Sequence, residues 1–292
     1  MGIPLSLATM IAFEHVHKPI CGDVLSLGRQ TVIFDEQKLL SVYDRYGIQP
    51  KIDAVEYDSN TVQAKSDIGR RYIIDECFWR SFGVKNYDIV DVSDYEGATI
   101  VHDMRLPVDP NLYERYDLIF NGSVLDNIFD PAAAMRNMSL MLKPNGRVIH
   151  IEMSSNLAFE YLMYSPDWFW DFYAINNFFD CRVYICCFDS IDQMLNGEWM
   201  VYGFTPKANG DSIPVPSLGS KYSVVVVVAE KGESSSHDKN PIQWCYRPKE
   251  ANELMLAARK RFFSSPRPVF NARGDLTLRP EWEGFYPCGP TG

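Results

Sequence analysis

Several signals that would settle a function by themselves are missing from this sequence. Its seven cysteines form no C-x-x-C pair, so a zinc-type spacing is absent. No G-x-G-x-x-G follows a strand-like run. Gly28-Arg29-Gln30-Thr31-Val32-Ile33 offers a single glycine, which argues against a nicotinamide oxidoreductase. Positive charge is not in excess either: 28 Lys and Arg against 38 Asp and Glu give a net charge of −10, the wrong sign for gripping a phosphate backbone. Nucleic acid is therefore not expected as a partner. Long apolar runs are also lacking. The opening MGIPLSLATMIAFEHVHKP is interrupted by Glu14, His15 and His17, too early to span a bilayer, and it has no basic n-region or small-residue cleavage site. Residues 1–20 read as an amphipathic leader helix. Gly2 with Ser6 fits the short N-myristoylation pattern, which chance also produces. An odd cysteine count without pairing motifs suits reduced thiols and a cytoplasmic protein.

What is present is an alternation of strand-like and helix-like runs. DVLSLG at 23–28 reads as a buried strand meeting a turn. Four β-branched runs bounded by turn signals follow from Tyr87: YDIVDVS, ATIVHDM, YDLIFNGS and GRVIHIEM. Between the last two lies DPAAAMRNMSLMLKPNG, a helix with Asp130 as cap and Pro131 in its first turn. CRVYICCFD and KYSVVVVVAEK come later, and the valine run demands a central strand covered on both faces. The expected fold is α/β: a Rossmann-like, doubly wound, mostly parallel seven-stranded sheet with an antiparallel edge pair. A helical insertion and a C-terminal extension complete it. The domain is expected over 21–230, with the insertion at about 49–80. The polar GESSSHDKNP then leads into an extension over 231–292.

In such a sheet ligands bind beyond the carboxyl ends of the strands. Those ends carry Gly28, Asp91, Asp103 and the run Asn121-Gly122-Ser123. Their order, with Leu142-Lys143-Pro144-Asn145-Gly146 as the turn before the fifth run, resembles the seven-stranded class I S-adenosylmethionine-dependent methyltransferases. The resemblance covers about two-thirds of the chain and is most specific from Tyr87 onward. It implies S-adenosylmethionine as cofactor and S-adenosylhomocysteine as product. Gly28, Asp91 with Val92 and Ser93, Asp103 with Met104, and Asn121, Gly122 and Ser123 would be the cofactor contacts. Asp91 would meet the ribose hydroxyls and Asp103 the adenine amino group. In the turn, Asn145 replaces a customary glycine, and Asn tolerates a left-handed backbone.

Two departures stand out. The family's acid-x-Gly-x-Gly reads LSLGRQ here, with Ser26 for the acid and only Gly28 retained, so Arg29 or Gln30 would grip the cofactor's carboxylate. From Gly28 to Asp91 is 63 residues, where a whole βαβ crossover unit needs about thirty. The surplus is the insertion, read as a lid or a dimer contact, with a homodimer among the expected partners. For the catalytic base the reading selects His15 and His17, because this family often folds a helix before the first strand over the site. The aromatic segment after the fifth strand would bind the acceptor through Tyr164, Asp167, Trp168, Tyr173 and Asn176. SPDWFWDFYAINNFFDCRVY resembles methyltransferase-like proteins of bacterial surface-glycan synthesis, so the acceptor is expected to be a small molecule or saccharide methylated on oxygen. No metal site is expected, although Asp126 and Asn127 could ligate Mg²⁺. The alternative is an inactive Rossmann-like binding or scaffold protein that has lost the cofactor.

Overall fold

A computed structural model describes residues 2–52, 54–67, 69–155, 160–209, 221–280 and 283–292. The chain runs α1 (Leu5–His17), β1 (Gly22–Leu27), α2 (Glu36–Tyr46), α3 (Val62–Ser66), α4 (Asp75–Ser81), β2 (Val84–Asp91), β3 (Ile100–Val101) and β4 (Tyr116–Gly122). It continues with α5 (Pro131–Met141), β5 (Leu142–Met153), α6 (Pro166–Ile175), β6 (Asp180–Phe188), α7 (Ile191–Asn196), β7 (Met200–Thr205), β8 (Tyr222–Glu230), α8 (Lys249–Ser264) and β9 (Gly284–Pro290). Local chemistry sets the helix bounds. Asp35 caps α2 by accepting from the Lys38 N–H, and Gly47 ends it in the left-handed conformation. Asp130 caps α5 through the Ala133 N–H, with Pro131 in the first turn.

One sheet holds every strand, in the order β3-β2-β1-β4-β5-β8-β6-β7-β9. β1 pairs in parallel with both β2 and β4, so the strand order reverses at β1. This is the switch point of a Rossmann-like fold. The valine-rich β8 lies antiparallel between β5 and β6, its last seven residues buried. Two strands beyond the expected seven, β7 and β9, carry the sheet past β6. The turn expected before the fifth strand falls within the first residues of β5, where Asn145 has a φ of 64° and so does use the left-handed region. Apolar cores cover both faces. One gathers Leu7, Val42, Phe78 and Met194 from α1, α2, α4 and α7. The other gathers Met135, Phe169 and Met255 from α5, α6 and α8. No described helix is long and apolar enough to cross a membrane.

Two polar devices fasten the helices to the sheet. At the amino ends of the parallel strands, the fully buried Arg267 donates from Nε to Asp180 at 2.6 Å and from Nη2 to Glu230 at 2.7 Å, and its Nη1 is paired with Glu14. Arg182 bonds Asp180 at 2.8 Å, and Arg147 reaches the Glu14 carbonyl at 3.1 Å. Burial alone would oppose the Arg267 charge, but the carboxylates of Glu14, Asp180 and Glu230 hold it more basic than usual. In mid-sheet, His150 of β5 meets Tyr173 of α6 through Nε2 at 2.5 Å and Asn121 of β4 through Nδ1 at 3.0 Å. Tyr173 donates onward to Met135 Sδ. The Asn121 amide N–H donates to Nδ1, so the ring proton sits on Nε2. Burial depresses the His150 pKa to about 3, so the ring is neutral.

Replacing Arg267 with Leu removes the cation that three buried carboxylates share. The expected loss is about 3–5 kcal/mol of unfolding free energy, read from the urea midpoint. His150 makes stability depend on pH. Its folded pKa lies below its unfolded value of 6.5, so the unfolded chain binds the extra proton and stability falls as pH drops through this window. Between pH 6.5 and 4.5 the wild type should lose roughly 2 kcal/mol that a His150→Gln variant does not, measured by urea unfolding at both pH values.

Candidate functional site at the strand carboxyl ends

The chain before α1 pairs with the chain after β1: Ile3 N–H donates to Thr31 O at 2.7 Å, and Ile33 N–H to Ile3 O at 2.9 Å. Helix α1 therefore starts beside the strand carboxyl ends and finishes at the opposite end. This corrects the choice of His15 and His17 as bases. His15 accepts from the Ile20 N–H at 3.0 Å and lies 5.0 Å from the Phe82 ring, just ahead of β2. Burial, then Arg147, lowers its pKa to about 4. His17 is half-buried, and burial followed by the Arg267 charge lowers its pKa too. A helix that ends a few residues before β1 has to deliver its last turn to the amino end of that strand.

At the carboxyl ends, Gly28 turns with a φ of 65°, its N–H bonded to Val90 O at 2.8 Å. A side chain there would place its Cβ 3.4 Å from Asp91 Oδ2, so the Asp91 carboxylate faces bare backbone across the turn. Among the described residues the Asp91 carboxylate accepts from the Ser93 N–H alone, at 3.4 Å, and no cation pairs with it. Val92 and Ser93 lie exposed on its outer side. This is a carboxylate at the switch point with capacity to spare.

The other expected contacts are more committed. Gln30 is buried, and its Nε2 donates to Leu27 O at 2.9 Å. Its Oε1 lies where a Cβ on Gly122 would come within 2.1 Å, and it has no hydrogen-bond partner. Gln30 thus holds a buried acceptor over Gly122, not the donor that the carboxylate assigned to it from sequence would need. Arg29 is turned the other way, 3.1 Å from Asp75 and 3.6 Å from Asp58, and so ties the 49–80 segment to β1 instead of waiting for a ligand carboxylate. Asp103 is closed in a fork by Arg105, at 2.6 Å from Nη2 and 3.0 Å from Nε. Those bonds draw its pKa to about 2, and an adenine amino group would have to displace the arginine. Met104 is buried beneath it. Asn121 spends its amide on His150, Glu152 and the Val124 N–H, so it is a core residue. Ser123, with a φ of 62°, bonds Asp126.

The acceptor residues divide. Tyr173 and Asn176 are corrected to structural roles. Tyr173 is spent on His150, and the fully buried Asn176 holds the 236–239 segment through Ser236 and Lys239. Tyr164 donates to Leu125 O at 2.8 Å and packs edge-on to Trp168 at 4.8 Å. Asp167 and Trp168 line a groove of about 550 Å³ between α6 and α8, together with Asp171 and Arg247. Burial raises the Asp171 pKa to about 6 against the pull of Arg247.

Two features escaped the sequence reading. Glu152 is fully buried at the end of β5, where its carboxyl accepts from Asn121 at 2.5 Å and from the Leu125 and Asp126 N–H groups at 3.2 Å. Burial, then neighbouring Asp126, pushes its pKa far up. The only signal was an acid inside an apolar strand, in HIEM. The second is a cavity of about 390 Å³ beside Arg29, walled partly by α3 and α7, which no local pattern announces.

No protein-family model matches the chain, and no curated protein does. Among solved structures it is similar to the CMeT domain of the citrinin polyketide synthase, at 12% identity and a TM-score of 0.39 over 78% of this chain and 52% of that one. It is also similar to an S-adenosylmethionine-dependent methyltransferase from Mesorhizobium loti, at 13% and 0.28, covering 50% of this chain and 54% of that one. A third is a methyltransferase from Thermotoga maritima described as a possible histamine N-methyltransferase, at 14% and 0.36, covering 77% and 91%. The chain spans about half the length of the first two. The Rossmann-like fold itself is read from strand order and register.

Proposed function

We propose that this protein is an S-adenosylmethionine-dependent methyltransferase acting on an oxygen of a small molecule, with a saccharide precursor among the candidates. The observation that carries this reading is Asp91, an unpaired carboxylate beside a left-handed glycine at the switch point of a Rossmann-like sheet. Vicinal ribose hydroxyls are donors of the kind it would take. The buried, unpartnered Oε1 of Gln30 adds support, because the cofactor's ammonium would supply the missing donor. The bound cofactor supplies a methyl group on a sulfonium, already an excellent leaving group. The protein's share is to position the acceptor, to let its hydroxyl proton pass to a base or to water as the new O–C bond forms, and otherwise to exclude water.

The same glutamine favours the second reading, a scaffold without cofactor. Its amide already fills the space over Gly122.

Thermal unfolding with S-adenosylhomocysteine separates the two. Ligand at a hundred times its dissociation constant should add about 2.7 kcal/mol to the wild type. Asp91→Ala should bind it about tenfold or more weakly, while unfolding without ligand at an unchanged temperature. A wild type that saturating ligand leaves unmoved supports the scaffold.

A further inference from the structure

The cavity beside Arg29 has its floor at Met153, on the end of β5, and its walls on α3 and on Met194 and Leu195 of α7. Most of its polar lining is already used. Thr61 is bonded to Asp58 at 2.6 Å, Glu96 accepts from the Val62 N–H at 2.6 Å, and Arg70 lies 3.8 Å from Asp67. Two buried atoms of the lining residues have no hydrogen-bond partner: Nε of Arg29 and Oε2 of Glu160. One is a donor and the other an acceptor. Native structures seldom leave such a pair unmade around one cavity, and a volume of this size suits a small molecule.

We propose that this cavity takes the methyl acceptor, and that the acceptor is a small, uncharged molecule. A hydroxyl on it donates to Glu160, and an oxygen on it accepts from Arg29. That it is the acceptor rests on the methyltransferase reading; the ligand class rests on the cavity alone. Charge selects the class. The lining carries two guanidinium groups and two carboxylates, with Asp58 and Asp75 already against Arg29. A carboxylate ligand would face Glu96 and Glu160 unpaired, and an ammonium would face Arg29 and Arg70. A neutral hydroxyl compound meets both orphan atoms and burying it desolvates no net charge. Met153, Met194 and Leu195 cover its carbon skeleton. The 49–80 insertion is then one wall of the acceptor site.

Isothermal titration of the full chain with catechol, benzoate and benzylamine tests this, because the three share a ring and differ in charge. Catechol should bind at least about tenfold more tightly than either charged ring, and Glu160→Leu should weaken it by about tenfold or more. Leu195→Trp, which fills the cavity, should abolish binding; should it not fold, Glu160→Leu decides. The proposal is overturned by a charged ring that binds as well as catechol, by no binding of catechol, or by catechol affinity unchanged in the variants. A wild type that binds catechol but not S-adenosylhomocysteine keeps the ligand class and removes the methyltransferase reading. Binding of S-adenosylhomocysteine without catechol removes this proposal and leaves the methyltransferase reading standing.

Discussion

Arg267 reaches the amino-terminal end of the sheet from a segment that follows α8, and there it meets carboxylates from three separate elements: Glu14 of α1, Asp180 of β6 and Glu230 of β8. With Arg147 and Arg182 alongside, three cations and three anions lie buried together. Such a set contributes little net stability over well-packed apolar residues, because each ion has been stripped of water, yet any one member is expensive to remove. Its effect is on arrangement. It fixes the leader helix and the C-terminal segment to the sheet with one registration, since a slip of either leaves charge without a partner. The crevice beside Gly28 and Asp91 lies at the opposite end of the sheet.

Polar economy also explains the carboxyl ends. Asn121 bridges His150 and Glu152 across β4 and β5, and Glu152 in turn accepts from the Leu125 and Asp126 N–H groups just after the Ser123 turn. Arg29 and Asp75 similarly bind the inserted segment to the end of β1. What remains unsatisfied is confined to few atoms, among them those of Gln30, Arg29 and Glu160. A fold that pairs nearly all its buried polar groups marks its open positions by contrast.

The central strands were legible because strands covered on both faces are continuous apolar runs between turn signals, as in YDLIFNGS of the parallel β4 and the valines of the antiparallel β8. β7 and β9 were not. β9 contains Pro287 and Pro290, tolerable only because it lies at the sheet edge, and Gly203 of β7 is bare because the Tyr286 ring packs over it. Neither strand has a periodic signature. The site was partly legible for a related reason. Gly28 and Asp91 follow from strand ends, a local property. The fates of Arg29, Asp103 and Asn121 depend on partners elsewhere: Asp75 in the insertion, Arg105 two residues on, and the next strand. Spacing does not encode which partner wins. The direction of α1, by contrast, follows from its nearness to β1 in the chain, which already assigns His15 and His17 to the far end.

The buried arginine also imposes an order on biosynthesis. A ribosome releases Glu14 and Arg147 well before Arg267, while domains generally begin folding from the amino end as they emerge. For that interval the first helix has its acidic residue and Arg147 but not the guanidinium that completes the cluster. Glu14, Asp180 and Glu230 lack the cation they share until residue 267 has been made, so the segment after α8 closes the cluster like a latch.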